Sequence, residues 1–191
     1  MCGSDTLAGA LWKRHPVIHM ATHFKFDAAE PMASHILLGD ETRLTLEELK
    51  DYRYDLAGVD LVTLSACQTA MGSGHIGPGR EIEGLGGFIQ KRGAKAVIAT
   101  LWPVHDNATA RLMAAFYRNC TSGMSKVMAL REAQLGLLSG DINSHSGAGR
   151  SSSAETDTST TSGSGDSASP PPVSFHHPYF WAPFTLMGNP R

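Results

Sequence analysis

Leu61-Val-Thr-Leu-Ser65, running straight into Ala66-Cys-Gln-Thr69, is the stretch on which the reading of the fold turns. Its first five residues are uncharged and mix aliphatic with β-branched side chains, the pattern of a strand buried on both faces. Val17 to Ala21 and Ala96-Val-Ile-Ala-Thr-Leu101 repeat that signature, and Ile36-Leu-Leu38 reads as a small additional strand. Helical patterns lie between and after them. Thr45 and Glu48 stand at capping-box spacing and predict a helix through about Tyr52. Glu81 to Gln90 reads as a glycine-rich helix, and Asn107 to Cys120 and Ser125 to Leu138 read as amphipathic helices. Strands alternating with helices predict an α/β fold, a doubly wound, mostly parallel sheet flanked by helices.

Beyond these elements the composition changes. About two-thirds of the stretch from Ser139 to Ser174 is Ser, Thr, Gly or Pro, with almost no large apolar side chain to offset the entropy of ordering, so it reads as a disordered insert. The aromatic segment from His177 to Asn189 then reads as a strand returning to the sheet. The expected organisation is a helical remnant over 1–14, a core over 15–138, the insert over 139–174 and a closing strand over 175–191.

The chain has 191 residues, a formal net charge of −2, 41% hydrophobic and 18% charged residues, enough apolar material for one domain. Its Lys and Arg residues are scattered, so neither a nucleic acid nor a membrane surface is an expected partner. Cys2, Cys67 and Cys120 form no CxxC pair and are odd in number, which fits a reducing, cytoplasmic compartment better than a disulfide or zinc framework. No apolar leader opens the chain, and its longest apolar stretch is broken by Lys95 and Pro103.

Open α/β sheets present reactive groups beyond the carboxyl ends of their strands. His23 follows the first strand and Cys67 follows the next long one. Were those strands parallel neighbours, both side chains would reach one rim, where a histidine can deprotonate a thiol and then protonate a leaving amine. Met71 to Gly79 is a glycine-rich loop whose backbone N–H groups could approach a substrate. Cys67 also reads as a small buried hydrophobe, the commonest environment of a free cysteine. Neither a Rossmann fingerprint nor a Gly-Lys-Ser/Thr ending is present, and no spacing suggests a metal site, so no cofactor or metal is expected.

His19-Met-Ala-Thr-His23, Leu64-Ser-Ala-Cys-Gln-Thr69, Glu83-Gly-Leu-Gly-Gly87, Ala99-Thr-Leu-Trp-Pro-Val-His-Asp106 and Trp181-Ala-Pro-Phe184 occur in this order. Together they resemble the CHAT domain, a caspase-like branch of cysteine peptidases related to separases and often attached to tetratricopeptide repeats. The similarity runs from about Val17 to Asn189, leaving out the serine-rich insert. It implies a caspase-like fold, with an earlier strand and helix of which only Asp5 to Arg14 could belong here. It implies His23 as general base and acid, Cys67 as nucleophile, and the backbone N–H groups of Cys67 and Phe24 as an oxyanion hole. The family usually has glycine where Phe24 stands, so any need for positive φ or close substrate approach there would conflict with this side chain.

An aspartate in a similar run of the separases recognises a basic substrate side chain, which makes Asp106 a specificity candidate. Asp106 also reads as the N-cap of the helix beginning at Asn107. His19, inside its strand, reads as structural, and His75 and His105 as loop histidines. Trp102, Trp181 and Phe184 read as core packing. The activity the resemblance implies is a cysteine endopeptidase acting on protein or peptide substrates, with tetratricopeptide-repeat or signalling partners. The competing reading is a catalytically weak or inactive interaction module of a signalling or defence assembly.

Overall fold

The structure of the protein, a computed structural model, describes residues 7, 9, 15–27, 29–65, 80–141 and 174–191. The uncharged runs form strands β1 (Val17–Met20), β5 (Leu61–Leu64) and β6 (Ala96–Thr100), and the aromatic tail supplies β7 (Phe184–Gly188). Three short strands, β2 (Phe24–Lys25), β3 (His35–Leu37) and β4 (Arg43–Thr45), lie between β1 and β5. Helices include α1 (Arg80–Lys91), α2 (Asp106–Thr121), α3 (Lys126–Ser139) and the single turn α4 (Pro178–Trp181).

The main sheet has the order β1-β5-β6-β7. β1, β5 and β6 are parallel, with Met20 opposite Leu64 and Leu64 opposite Ala99, while β7 runs antiparallel to β6 with Phe184 opposite Thr100. A mostly parallel sheet must be covered on both faces, and the alternation of side chains along β5 and β6 does this. Val62, Leu64, Val97 and Ala99 pack on one face with Leu85 and Ile89 of α1 and with the small sheet. Leu61, Ala96 and Ile98 pack on the other with Leu112 and Phe116 of α2 and Leu130 and Leu137 of α3. The fold is thus the expected α/β arrangement of a mostly parallel sheet flanked by helices.

The returning segment is fastened by more than the β7 ladder. Phe175 is buried, and the Gln134 side chain of α3 donates to the carbonyls of Trp181 and Phe184 at 3.0 and 3.1 Å. Most of the serine-rich stretch, 142–173, lies outside the described residues.

Three expectations change. β2, β3 and β4 form a separate antiparallel sheet in the order β2-β3-β4, where only one small strand was expected. The Thr45–Glu48 box is present: Thr45 N–H and Oγ1 donate to the Glu48 carboxylate at 2.8 and 2.9 Å, and Glu48 N–H returns a bond to Thr45 Oγ1 at 3.1 Å. The α-helix expected after it is instead two 3-10 turns, Glu48–Lys50 and Tyr52–Tyr54. Asp51 between them is extended (φ −57°, ψ 142°), and its carboxylate accepts Arg53 N–H, the competition by which Asp interrupts helices. Finally, α3 falls where a helix was expected but is not amphipathic, because Val127, Met128, Leu135 and Leu138 are exposed on its outer face.

Candidate active site

The register of β1 and β5 decides what this sheet can bring together. Met20 and Leu64 end the two strands side by side, and Ser65 N–H donates to the Met20 carbonyl at 3.1 Å. His23 comes three residues after the end of β1, in the exposed connection to β2. Its carbonyl accepts Leu37 N–H at 2.8 Å, and Thr22 Oγ1 donates to the Leu37 carbonyl, so both residues before Phe24 are anchored to the small sheet. Cys67 lies outside the described residues, as do His75 and the glycine-rich loop; in sequence it comes three residues after the end of β5.

Phe24 begins β2 opposite Ile36, and its side chain is buried. Glu41 is the only non-glycine residue with positive φ among the described residues, so Phe24 carries ordinary extended backbone. Bonded and non-bonded pairs alternate along an antiparallel ladder. Because the His23 carbonyl is bonded to Leu37 N–H, Phe24 and Ile36 form the non-bonded pair, and Phe24 N–H points away from β3. A phenylalanine is therefore compatible with this backbone, its ring filling the core while its amide stays uncommitted to β3.

Asp106 is exposed beyond β6, at the same end of the sheet. It is not the N-cap. His105 holds that place, with extended backbone (φ −86°, ψ 126°) and a carbonyl that accepts Thr109 N–H at 2.9 Å, so the helix starts one residue earlier than expected. Asp106 is instead the first helical residue, where its negative charge is favoured by the helix dipole without closing a cap. The His105 ring packs 5.6 Å from that of Phe175 and 5.9 Å from that of Phe180. Trp102 Nε1 donates to the Tyr179 carbonyl and Trp181 Nε1 to the His176 carbonyl, each at 3.0 Å, and Phe184 is buried.

A polar chain crosses the rim that sequence reasoning had not assembled. His19 Nε2 and Ser65 Oγ share a hydrogen bond at 2.9 Å, His19 Nδ1 and Tyr117 OH another at 3.3 Å, and Tyr117 OH and Thr63 Oγ1 a third at 3.0 Å. Partial burial holds the His19 pKa below its ordinary value, and burial raises that of the Tyr117 phenol. The signal was available: Thr63 and Ser65 share one strand phase, and His19 is opposite Thr63 once β1 and β5 are parallel neighbours. Beside this chain a cavity of about 300 Å³ opens between the end of β1 and the β3–β4 turn, lined by Leu7, His19, Met20, Thr22, Leu37 and Leu38 among others.

The α/β sheet thus brings His23 and the exits of β5 and β6 to one rim, the end at which open α/β sheets present reactive groups. The CHAT domain model matches residues 4–189, and the chain belongs to that family. No curated protein matches it. Among the described residues, no three His, Cys, Asp or Glu side chains are grouped as metal ligands, and no helix is long and apolar enough to cross a membrane.

Proposed function

We propose that the protein is a cysteine endopeptidase in which His23 and Cys67 form the catalytic dyad. The observation that carries this reading is the parallel pairing of β1 with β5, from whose adjacent ends the two residues follow at equal distance along the chain. His23 takes the thiol proton, and the thiolate forms a C–S bond to the substrate carbonyl carbon. The resulting oxyanion accepts the N–H groups of Phe24 and Cys67. Collapse breaks the C–N bond, and His23 gives its proton to the departing amine. A water that His23 deprotonates then attacks the thioester, releasing the new carboxyl group and restoring the thiol.

Asp106, exposed at the β6 end of the rim, recognises a basic side chain ahead of the scissile bond. The cavity bordered by Thr22 and Leu37 offers room for an apolar substrate side chain next to His23.

Thiol reactivity separates this reading from a structural cysteine. Burial raises the pKa of the Cys120 thiol, so that residue serves as an internal slow control. With iodoacetamide at neutral pH and peptide mapping by mass spectrometry, Cys67 is expected to react at least about tenfold faster than Cys120 and to lose that advantage in His23→Ala. Equal rates at the two cysteines, or a Cys67 rate unchanged by His23→Ala, would contradict the dyad.

A further inference from the structure

The cavity at the end of β1 lies against the connection that carries His23. Its apolar walls are Leu7, Met20, Leu37 and Leu38, with His19 and Thr22 as polar members. It meets the connection at two points: Thr22 directly precedes His23, and Leu37 N–H donates to the His23 carbonyl at 2.8 Å. The polar members are already engaged. Thr22 Oγ1 donates to the Leu37 carbonyl, and the two His19 ring nitrogens are hydrogen-bonded with Ser65 Oγ and Tyr117 OH. Among the described residues that line the cavity, none is Asp, Glu, Lys or Arg. A charged side chain entering it would lose water and find no counter-charge, whereas an apolar one would gain by burial.

We propose that this cavity receives the side chain of the residue immediately after the cleaved bond and selects an apolar one there. The inference rests on the peptidase reading and adds to it the direction in which the substrate lies. In that reaction His23 gives its proton to the departing amine, so the residue that carries the amine must lie against His23. The sheet order β1-β5-β6 sets the cavity and Asp106 on opposite sides of the β5 exit, which Cys67 follows in sequence.

Neighbouring strands stand about 4.8 Å apart, so the ends of β1 and β6 are separated by about 10 Å, the span of about three extended residues. A peptide crossing the rim thus presents the residue before the bond to Asp106 and the residue after it to Leu37 and Leu38. At about 300 Å³ the cavity has room for a leucine, methionine or phenylalanine side chain.

Cleavage of a peptide series by the purified full chain, with arginine before the bond and leucine, phenylalanine, alanine, lysine or aspartate after it, tests this. The kcat/KM with leucine or phenylalanine is expected to exceed that with lysine or aspartate at least about tenfold. Leu37→Asp puts a carboxylate into the wall and is expected to move the lysine-to-leucine ratio at least about tenfold towards lysine. Ala21→Leu, at an exposed position on the lining, is expected to favour alanine over phenylalanine. Each ratio compares two peptides on one enzyme, so partial unfolding or slower chemistry does not move it. Cleavage with a flat series, with a preference for charge, or with ratios unmoved by both variants would overturn the cavity assignment and leave the dyad standing. A folded parent that cleaves none of the peptides would overturn the peptidase reading and this inference with it.

Discussion

His19 Nε2 and Ser65 Oγ are 2.9 Å apart, so the exit of β5 is tied by side chains to the edge strand β1. Ser65 is the first residue after β5 and stands two residues before Cys67 in sequence, so the bond steadies the exit of β5. The His19 pKa is lowered by burial from 6.5. As pH falls, the unfolded chain takes up this proton first, so the His19 contribution is intact above about 6.5 and declines on acidification through the folded-state value. His19→Gln is expected to give a shallower loss of melting temperature than the parent between about pH 8 and pH 5. Superimposable profiles would refute this account of His19.

Phe24 is a core residue as well as the neighbour of His23. It is 6% exposed and belongs to the same apolar cluster as Ile36, Leu44 and Leu46. Phe24→Ala is expected to cost about 3–5 kcal/mol of stability, read by denaturant unfolding. A loss below about 1 kcal/mol would mean that the ring is not packed as described.

Gly93 tests the connection from α1 to β6. Its φ is +111°, and a Cβ there would lie 2.7 Å from the Ala57 backbone nitrogen. A side chain thus meets both an unfavourable backbone conformation and a backbone contact that cannot step aside. Gly93→Ala is expected to lower unfolding free energy by about 2 kcal/mol or more, whereas Gly123→Ala, with positive φ but open space around it, should cost less.

Much of this architecture was legible because its physics is local. Val62, Val97 and Ile98 sit in short uncharged runs that only a doubly covered sheet can bury, and Leu112 and Phe116 keep one helical face. The small sheet was mostly hidden, since Phe24–Lys25 is too short to show a strand period. Asp51 ended a helix that the Thr45–Glu48 box could start, a competition settled by how Leu49 and Tyr54 are buried on either side of it. The pairing of His19 with Ser65 depends on the register of two strands far apart in sequence. For α3, the sequence showed apolar residues at helical spacing but not which of two apolar faces the sheet would cover. The candidate site was legible as residue types at strand ends, which fixed the positions of His23 and Asp106 on the rim but not the cap at His105.

Asp106 allows the proposed substrate recognition to be tested apart from helix stability. Because it closes no cap, Asp106→Asn should lower stability only by the about 0.3–1 kcal/mol that a first-turn charge contributes. On the proposed reading it raises KM for peptides with a basic residue before the cleaved bond by about tenfold or more and leaves neutral peptides unaffected. Equal effects on basic and neutral peptides would remove Asp106 from the specificity site.

The most direct measurement is cleavage of a diverse peptide library by the purified full chain, read by mass spectrometry beside the Cys67→Ala variant. The predicted result is cleavage by the parent and none by the variant, with His23→Ala equally inactive. Cleavage that persists in Cys67→Ala, or a folded parent that cleaves no peptide, would contradict the assignment of this rim as a peptidase site.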